Sequence, residues 1–221
     1  MNTLITAHSG CDGTADNSYE YLLHAISTEA DAFEVDVHRS IDGRFYLSHD
    51  SFEDACPDLL TAFELLKESN KLINCDLKMD GLELDVLSFA REAGVVDQLL
   101  FSGSVSLSTL KENEAVRDRT LFNITPILPD VIAHYRRGVL GTRDDWVKVI
   151  QVCKEYRIKS INIPFELCTD NVIELLNSND INISAWTVND ADIAHHLLEK
   201  NIYNITTRNT NMVCSLRHRL K

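Results

Sequence analysis

Two histidines and three carboxylates of this 221-residue chain lie at or near the ends of short apolar runs that favour β-strands. His8 follows the run at residues 4–7, and His49 follows the run at residues 45–48. The carboxylates are those of Glu34, Asp36 and Asp76. Ionisable groups at strand ends are costly to bury unless they converge on a ligand. The simplest ligand that suits this set is one divalent metal ion together with one phosphate ester.

Glu34 and Asp36 are two positions apart, so in a strand both side chains point to the same face of the sheet. Two unpaired anions buried side by side are very unfavourable, because burial and mutual repulsion both disfavour the charged forms. A hard cation, Mg²⁺ or Ca²⁺, relieves this cost by binding carboxylate oxygens. Asp76, at the end of another strand, adds a third ligand. We therefore predict one divalent cation here, with salt bridges to Arg39 and Arg44 as the alternative.

His8 and His49 are expected to end neighbouring strands. Imidazole has an unperturbed pKa of about 6.5, which suits two histidines that act as general base and general acid. Lys78 is two positions past Asp76 and shares its face, so a phosphate between this lysine and the metal would explain the cation. We interpret the remaining histidines as ordinary polar residues, namely His24, His38, His134, His195, His196 and His218.

The composition excludes several classes of function. The net charge of −13, from 34 acidic and 21 basic residues, is unsuited to nucleic acid, and no stripe of Lys and Arg with interleaved aromatics offsets it. The six cysteines contain no CxxC pair, so we do not expect a structural zinc site. We see no secretory signal and no apolar run long enough to span a bilayer. These features predict a cytoplasmic enzyme with free thiols.

Short β-branched runs alternate with segments of helical periodicity along the sequence. Eight β-then-α units, with one extra strand and no break in composition, favour an α/β fold, a (β/α)₈ TIM barrel forming a single domain over residues 1–221. A doubly wound sheet is the alternative, but Gly10 and Gly13 do not fit its Gly-rich phosphate motif. The predicted strands are residues 4–7, 32–37, 45–48, 72–75, 99–102, 121–124, 160–163, 183–186 and 203–206.

The longest connection without clear periodicity runs from Pro126 to Thr142 and contains Arg136 and Arg137. On a barrel, we expect a loop at this position to lie over the catalytic face. It is a candidate lid or phosphate contact, and an ordinary solvated loop is the alternative.

The order of the motifs along the chain resembles the glycerophosphodiester phosphodiesterases. That family usually shows His-Arg-Gly, Pro-Glu-Asn-Thr, Glu-x-Asp-Val, Thr-x-Asp-Gly, His-Asp, Glu-x-Lys and Trp-Thr-Val-Asn. The corresponding segments here span nearly the whole chain and are His8-Ser9-Gly10, Ala15-Asp16-Asn17-Ser18, Glu34-Val35-Asp36-Val37, Ser40-Ile41-Asp42-Gly43, His49-Asp50, Asp76-Leu77-Lys78 and Trp186-Thr187-Val188-Asn189.

The resemblance implies a barrel enzyme that hydrolyses a glycerophosphodiester to an alcohol and glycerol phosphate with one divalent metal ion, Mg²⁺ or Ca²⁺. Ser9 stands where the family has an arginine that contacts the phosphate, and Arg136 or Arg137 is a candidate substitute. The implied roles are metal binding by Glu34, Asp36 and Asp76, acid/base catalysis by His8 and His49, and substrate binding by Lys78 and Trp186.

Two other functions remain open at this point. The metal set with its following lysine also resembles the sphingomyelinase D-type phospholipases, which would imply cleavage of a lysophospholipid or sphingolipid headgroup. A barrel that binds metal and a phosphorylated ligand without turnover is the second alternative, because the arginine is lost at Ser9. The leading interpretation implies a small phosphodiester substrate, no nucleic acid partner and no stable membrane insertion.

Overall fold

The computed structural model of the protein describes residues 3–50, 56–138 and 141–220, apart from the side chain of Arg136. Nine strands form one sheet in this part of the chain. They are β1 (Leu4–Ala7), β2 (Ala32–Arg39), β3 (Phe45–Leu47), β4 (Leu72–Leu77), β5 (Leu99–Gly103), β6 (Phe122–Asn123), β7 (Ser160–Pro164), β8 (Asn182–Trp186) and β9 (Asn204–Thr207).

The sheet is a barrel of parallel strands in the order β5-β4-β2-β1-β9-β8-β7-β6. It closes between its two ends, because Phe101 of β5 forms a parallel bridge with Thr120, just before β6. The Leu121 amide donates to the Phe101 carbonyl at 2.8 Å, and the Phe101 amide donates to the Arg119 carbonyl at 2.9 Å. Strand β3 is the extra strand and lies antiparallel on β2. The predicted TIM barrel is therefore confirmed. The expectation that His8 and His49 end neighbouring strands is wrong, because β1 pairs with β2 and β9 and not with β3.

Helices follow the parallel strands, and most of them begin at a residue whose side chain caps the first turn. Ser18 accepts a hydrogen bond from the Tyr21 amide, and Thr142 forms a reciprocal capping box with Asp145. Gly94 ends one helix in the left-handed region at φ 77°. The helices are α1 (Tyr19–Ser27), α2 (Leu59–Lys67), α3 (Glu83–Ala93), α4 (Leu107–Glu112), α5 (Glu114–Arg117), α6 (Pro129–His134), α7 (Arg143–Tyr156), α8 (Asp170–Asn177), α9 (Ala191–Glu199) and α10 (Thr210–Arg219).

The alternation along β2 separates the hydrophobic core from the barrel interior. Phe33, Val35 and Val37 are fully buried in the core between the sheet and its helices. Glu34 and Asp36 therefore point to the opposite, inner face. This is the arrangement that the sequence pattern predicts.

The region from Pro126 to Thr142 differs from the predicted structureless loop. It contains helix α6, which begins with a proline in its first turn, followed by a short 3₁₀ turn at Tyr135–Arg137. Helix α6 has only six residues, which is too short for a helical period to be recognised in the sequence. Residues 139 and 140 lie outside the described part of the chain, as does the Arg136 side chain.

All six cysteines are free thiols. Of the helices in the described ranges, none combines the length and the apolar character that crossing a bilayer requires. The assignment of residues 1–221 to a single domain, and the cytoplasmic location, stay predictions.

Candidate active site

The carboxyl ends of the strands surround an open cleft of about 550 Å³. All residues that the sequence assigns to catalysis, metal binding or substrate binding line this cleft, and they are His8, Glu34, Asp36, His49, Asp76, Lys78 and Trp186. The cleft is completed by Asp16, Asn123, Asn162, Thr187, Asn189 and Arg208. The barrel thus brings the predicted set together, while the individual roles stay predictions.

The strand register places the carboxylates side by side. Asp36 of β2 is paired with Asp76 of β4, and Asp76 is paired with Ser102 of β5. Glu34 is paired with Asn74 in the same ladder. Because paired residues of neighbouring parallel strands point the same way, all three carboxylates face the barrel interior.

Asp36 is buried and accepts hydrogen bonds from several donors. Its Oδ1 lies 2.9 Å from Lys78 Nζ, and its Oδ2 accepts from Asn17 Nδ2 at 2.7 Å and from Ser9 Oγ at 3.3 Å. Burial alone would raise the pKa of Asp36, but the Lys78 ammonium and these hydrogen bonds hold the pKa below its usual value. Ser9 therefore supports a carboxylate in this structure.

Lys78 lies between two of the carboxylates. Its Nζ is 2.5 Å from Asp76 Oδ2 as well as 2.9 Å from Asp36 Oδ1. Burial opposes the charged form, but the two carboxylates prevail and raise the pKa of Lys78. The other oxygen of Asp76 accepts from Ser102 Oγ at 2.6 Å. Lys78 is thus a permanent cation that neutralises part of the site.

Glu34 has no such cationic partner at hydrogen-bond distance among the described residues. Its Oε2 accepts from Asn74 Nδ2 at 2.9 Å, and its Oε1 lies 3.7 Å from His8 Nε2. Burial, together with the charges of Asp76 and Asp36, raises the pKa of Glu34 to about 8. A cation that binds beside Glu34 would offset this burial and repulsion and would favour the ionised form of the carboxyl group.

The donor set fits a divalent cation. Four carboxylates face two permanent cations in the cleft, which leaves an excess of two negative charges when all groups are ionised. Carboxylate oxygens are the ligands that Mg²⁺ and Ca²⁺ prefer. The carboxylates are Asp16, Glu34, Asp36 and Asp76, and the cations are Lys78 and Arg208.

In this structure the oxygens of Glu34, Asp36 and Asp76 do not all come within 4.8 Å of one another. The ammonium of Lys78 is bound to an oxygen of Asp36 and to an oxygen of Asp76. A cation that binds Asp36 and Asp76 together therefore competes with Lys78 for the same oxygens.

His8 is held with one nitrogen available for proton transfer. A carbonyl can only accept, so the Nδ1–H of His8 donates to the Ser9 carbonyl at 2.9 Å. The lone pair of the neutral ring is then on Nε2, which is on the Glu34 side of the cleft. Burial lowers the pKa of His8, and the charge of Arg208 lowers it further. This geometry suits a general base.

His49 is more exposed than His8 and carries a different partner. Its Nδ1 lies 2.9 Å from Asp50 Oδ1, and this carboxylate accepts the Nδ1 proton. An imidazole oriented by a carboxylate through Nδ1 presents its Nε2 in a fixed direction, which suits proton transfer at that atom. Residues 51–55, which follow, lie outside the described part of the chain.

Trp186 ends β8 and forms one wall of the cleft. The ring of Tyr135, from the 3₁₀ turn after α6, packs edge-on against it with centroids 6.3 Å apart. The indole Nε1 of Trp186 and the Oδ1 of Asn162 are buried without a hydrogen-bond partner among the described residues. Both residues line the cleft. Each of the two atoms is shielded from solvent in this structure.

Arg208 lines the cleft and was not predicted from the sequence. It follows the last residue of β9, so the strand-end criterion that identified His8 would also have identified it. Its guanidinium donates to both carboxylate oxygens of Asp16, and its backbone amide donates to Asn189 Oδ1 at 2.8 Å. The side chain lines the cleft and is 38% exposed. A Cβ on Gly10 would lie 2.8 Å from its terminal nitrogen, so the guanidinium lies beside Gly10, the residue after Ser9.

Asn123 and Asn162 were also missed. They interrupt the apolar runs of β6 and β7, and Asn162 Nδ2 donates to Asn123 Oδ1 at 2.9 Å. Of the two arginines proposed as phosphate contacts, Arg137 is exposed and is not part of the cleft lining, while the Arg136 side chain is outside the described residues.

No protein-family model matches this chain, and neither does any curated protein sequence. Solved structures do match it over its length. A glycerophosphodiester phosphodiesterase from Parabacteroides distasonis is 15% identical with a TM-score of 0.74, and the match covers 100% of this chain and 99% of that one. A glycerophosphodiester phosphodiesterase from Thermotoga maritima is 20% identical with a TM-score of 0.67, covering 98% and 99%.

A third similar structure is a phosphodiesterase from Oleispira antarctica in complex with the product sn-glycerol-3-phosphate. It is 19% identical with a TM-score of 0.71, and the match covers 97% of this chain and 96% of that one. At such identities the likeness shows that the chains share a fold. The activity of this chain has to be argued from its own residues.

Proposed function

We propose that this chain is a glycerophosphodiester phosphodiesterase that requires one divalent cation, Mg²⁺ or Ca²⁺. One observation carries the proposal: three inward-facing carboxylates, two histidines and two permanent cations surround one cleft, where the carboxylates outnumber the cations. A phosphodiester bound to a divalent cation would use every one of these charges. The similar structures named above, one of them with bound glycerol phosphate, support the same choice of substrate.

Glu34, Asp36 and Asp76 would hold the cation, which when bound would stabilise the charge that develops on the phosphoryl oxygens. Asn17, Asn74 and Ser102 support this role, because each donates a hydrogen bond to one of the three carboxylates. Such bonds fix the orientation of ligand side chains before a metal binds.

The two histidines would divide the proton transfers. His8 Nε2 accepts the proton of a substrate hydroxyl next to the phosphate while that oxygen forms a bond to phosphorus. The bond from phosphorus to the alcohol oxygen breaks, and His49 donates its proton to the departing alkoxide. A water then opens the cyclic phosphate with the two roles exchanged, which gives glycerol phosphate and restores both histidines.

Lys78 and Arg208 would contact the phosphoryl oxygens. Both are cationic and line the cleft, and Arg208 supplies a planar guanidinium beside Gly10, the residue that follows Ser9. This assigns the missing phosphate contact to a residue at the other end of the chain from Ser9.

The alcohol part of the substrate would lie against Trp186. The indole ring offers an apolar surface in a cleft whose other lining residues are mostly charged or amide side chains. One aromatic wall in such a polar cleft suits a small polar alcohol better than a long acyl chain.

A substrate panel tests the proposal. Glycerophosphocholine, glycerophosphoethanolamine, lysophosphatidylcholine and sphingomyelin are incubated with the full chain and Mg²⁺ or Ca²⁺, and products are identified by phosphorus-31 NMR. We expect glycerol phosphate from the first two substrates, and loss of this product in His8→Asn but not in His195→Gln, an exposed histidine on α9. Choline phosphate release, or cleavage of the lipids alone, would contradict the proposed substrate class.

A further inference from the structure

A second group of potential metal ligands lies outside the cleft lining. The Cys11 sulfur, a carboxylate oxygen of Asp12 and a ring nitrogen of His24 all lie within 4.8 Å of one another. Cys11 is fully buried, whereas the side chains of Asp12 and His24 are partly exposed. Solvent therefore reaches the group from the side of Asp12 and His24, whereas the Cys11 sulfur is enclosed by the protein.

Two elements bring these three side chains together. Cys11 and Asp12 belong to the 3₁₀ turn Cys11–Gly13 after β1, and His24 is in the last turn of α1. His24 Nε2 is 3.0 Å from Asp12 Oδ2. Ligands drawn from a turn and a helix that already contact each other need only small side-chain rotations to close on an ion. A tetrahedral zinc holds its ligand atoms about 3.3 to 3.8 Å apart, given its bond lengths.

A buried hydroxyl lies beside the Cys11 sulfur. Thr210, the first residue of α10, is fully buried, and its hydroxyl is placed to donate to the Cys11 sulfur. A donor in this position also supports the sulfur when it binds a metal ion, because hydrogen bonds to metal ligands orient them.

We propose that Cys11, Asp12 and His24 form a binding site for one Zn²⁺ ion, whose fourth ligand is a water. Thiolate, imidazole and carboxylate together are the donors that zinc prefers, whereas Mg²⁺ and Ca²⁺ favour oxygen alone. On binding, the Cys11 sulfur exchanges its proton for the metal, and this proton is released to solvent. The site is chemically distinct from the carboxylate set of the cleft and does not depend on the proposed function.

The site is coupled to the cleft through the backbone of its turn. The Cys11 amide donates to the His8 carbonyl at 3.0 Å, and the Asp12 amide donates to the Arg208 carbonyl at 2.7 Å. A metal that fixes this turn on α1 would therefore also restrain the segments that carry His8 and Arg208. We infer a structural ion that steadies one side of the active site, at a place where the sequence has no CxxC pair to signal it.

Cobalt substitution tests the site directly. The full chain is stripped with EDTA, dialysed into excess Mg²⁺ to occupy the carboxylate set, and titrated with Co²⁺. Cobalt bound to a thiolate gives a charge-transfer absorption band in the near ultraviolet that carboxylate ligands do not give. We expect this band to saturate at one Co²⁺ per chain, to be displaced by Zn²⁺, and to be accompanied by a rise in Tm.

Matched variants decide whether the ion is where we place it. Cys11→Ser should abolish the band, His24→Gln should weaken Co²⁺ binding at least tenfold, and Cys153→Ser, a buried cysteine of α7, should leave the band unchanged. Circular dichroism is used to check that each variant folds. If Cys11→Ser does not fold, His24→Gln is the variant that tests the site. Absence of the band in the unmodified chain, or an unchanged band in Cys11→Ser or His24→Gln, would overturn the proposal.

Discussion

The guanidinium of Arg208 and the carboxylate of Asp16 form a bidentate ion pair in the lining of the cleft, although 192 residues separate them in the sequence. The two N–O distances are 2.6 Å and 2.7 Å. The hydrogen bonds from Arg208 hold the pKa of Asp16 below its usual value. Asp16 therefore stays ionised near neutral pH and keeps the guanidinium beside Gly10.

We predict that Arg208→Gln lowers kcat/KM for a glycerophosphodiester by roughly 100-fold, because one charged donor to the phosphoryl oxygens is lost. Arg208→Lys should recover only part of this loss, since an ammonium keeps the charge without the planar fork. Steady-state kinetics measures both effects, with Arg91→Gln on the exposed face of α3 as the control. Equal activity of the Gln and unmodified proteins would remove Arg208 from the phosphate site.

Lys78 should oppose the binding of the divalent cation while supporting the metal-free fold. We predict that Lys78→Met destabilises the metal-free protein by about 3 kcal/mol, because two buried carboxylates lose their partner. The same change should tighten Mg²⁺ or Ca²⁺ binding, since the cation no longer competes with an ammonium. Urea unfolding and calorimetric titration measure the two quantities, and Lys159→Met is an exposed control. Weaker cation binding in Lys78→Met would show that the two do not compete.

The pKa of Glu34 predicts how the metal-free protein responds to pH. In the folded chain this pKa is raised from 4.5 to about 8, so the folded state holds a proton that the unfolded state releases between these values. The stabilising protonation is complete below about pH 4.5 and is lost as the pH rises toward 8. The free energy of unfolding of the chelated protein should therefore contain a component from Glu34 that falls over this range.

Glu34→Gln isolates that component. The variant keeps an oxygen that accepts from Asn74 but cannot titrate, so its unfolding free energy should fall less between pH 5 and 8 than that of the unmodified protein. Saturating Mg²⁺ or Ca²⁺ should remove the difference in slope, because the bound ion keeps the carboxylate ionised. Parallel pH profiles with and without the substitution in EDTA would contradict the prediction.

His8 and His49 should each contribute a large factor to the chemical step. We predict that His8→Asn and His49→Asn each lower kcat by roughly 10²- to 10⁴-fold, with smaller changes in KM. A leaving group of low pKa, such as p-nitrophenol, needs little protonation, so it should restore activity to the His49 variant more than to the His8 variant. Equal rescue of both variants would show that the two roles are not divided in this way.

The sequence predicted those parts of the molecule that repeat a local pattern. Alternation along β2 was enough to place Glu34 and Asp36 on the inner face, and the β-then-α period was enough to predict the barrel. The strand register, which places Asp76 beside Asp36, follows once the barrel closes. Local pattern therefore determines most of the carboxylate set.

The remaining features of the site depend on contacts between residues that are far apart in the sequence. The pair of Arg208 and Asp16 joins the two ends of the chain, and no local spacing indicates it. The same holds for the approach of His24 to Cys11 and Asp12, which depends on how α1 packs against the turn after β1. The position of Lys78 between two carboxylates was also not foreseen, because a shared strand face does not fix where a long side chain ends.

The proposed hydrolysis of a glycerophosphodiester should depend on a divalent cation held by the carboxylates of the cleft. Glycerol phosphate release from glycerophosphocholine is measured with EDTA-stripped protein while Mg²⁺ or Ca²⁺ is added back, in parallel with Asp36→Asn. We predict no glycerol phosphate release in EDTA and a saturable recovery of release when the cation is added. In Asp36→Asn, release should recover only at a much higher cation concentration. Release that persists in EDTA, or a cation dependence that Asp36→Asn leaves unchanged, would contradict this prediction.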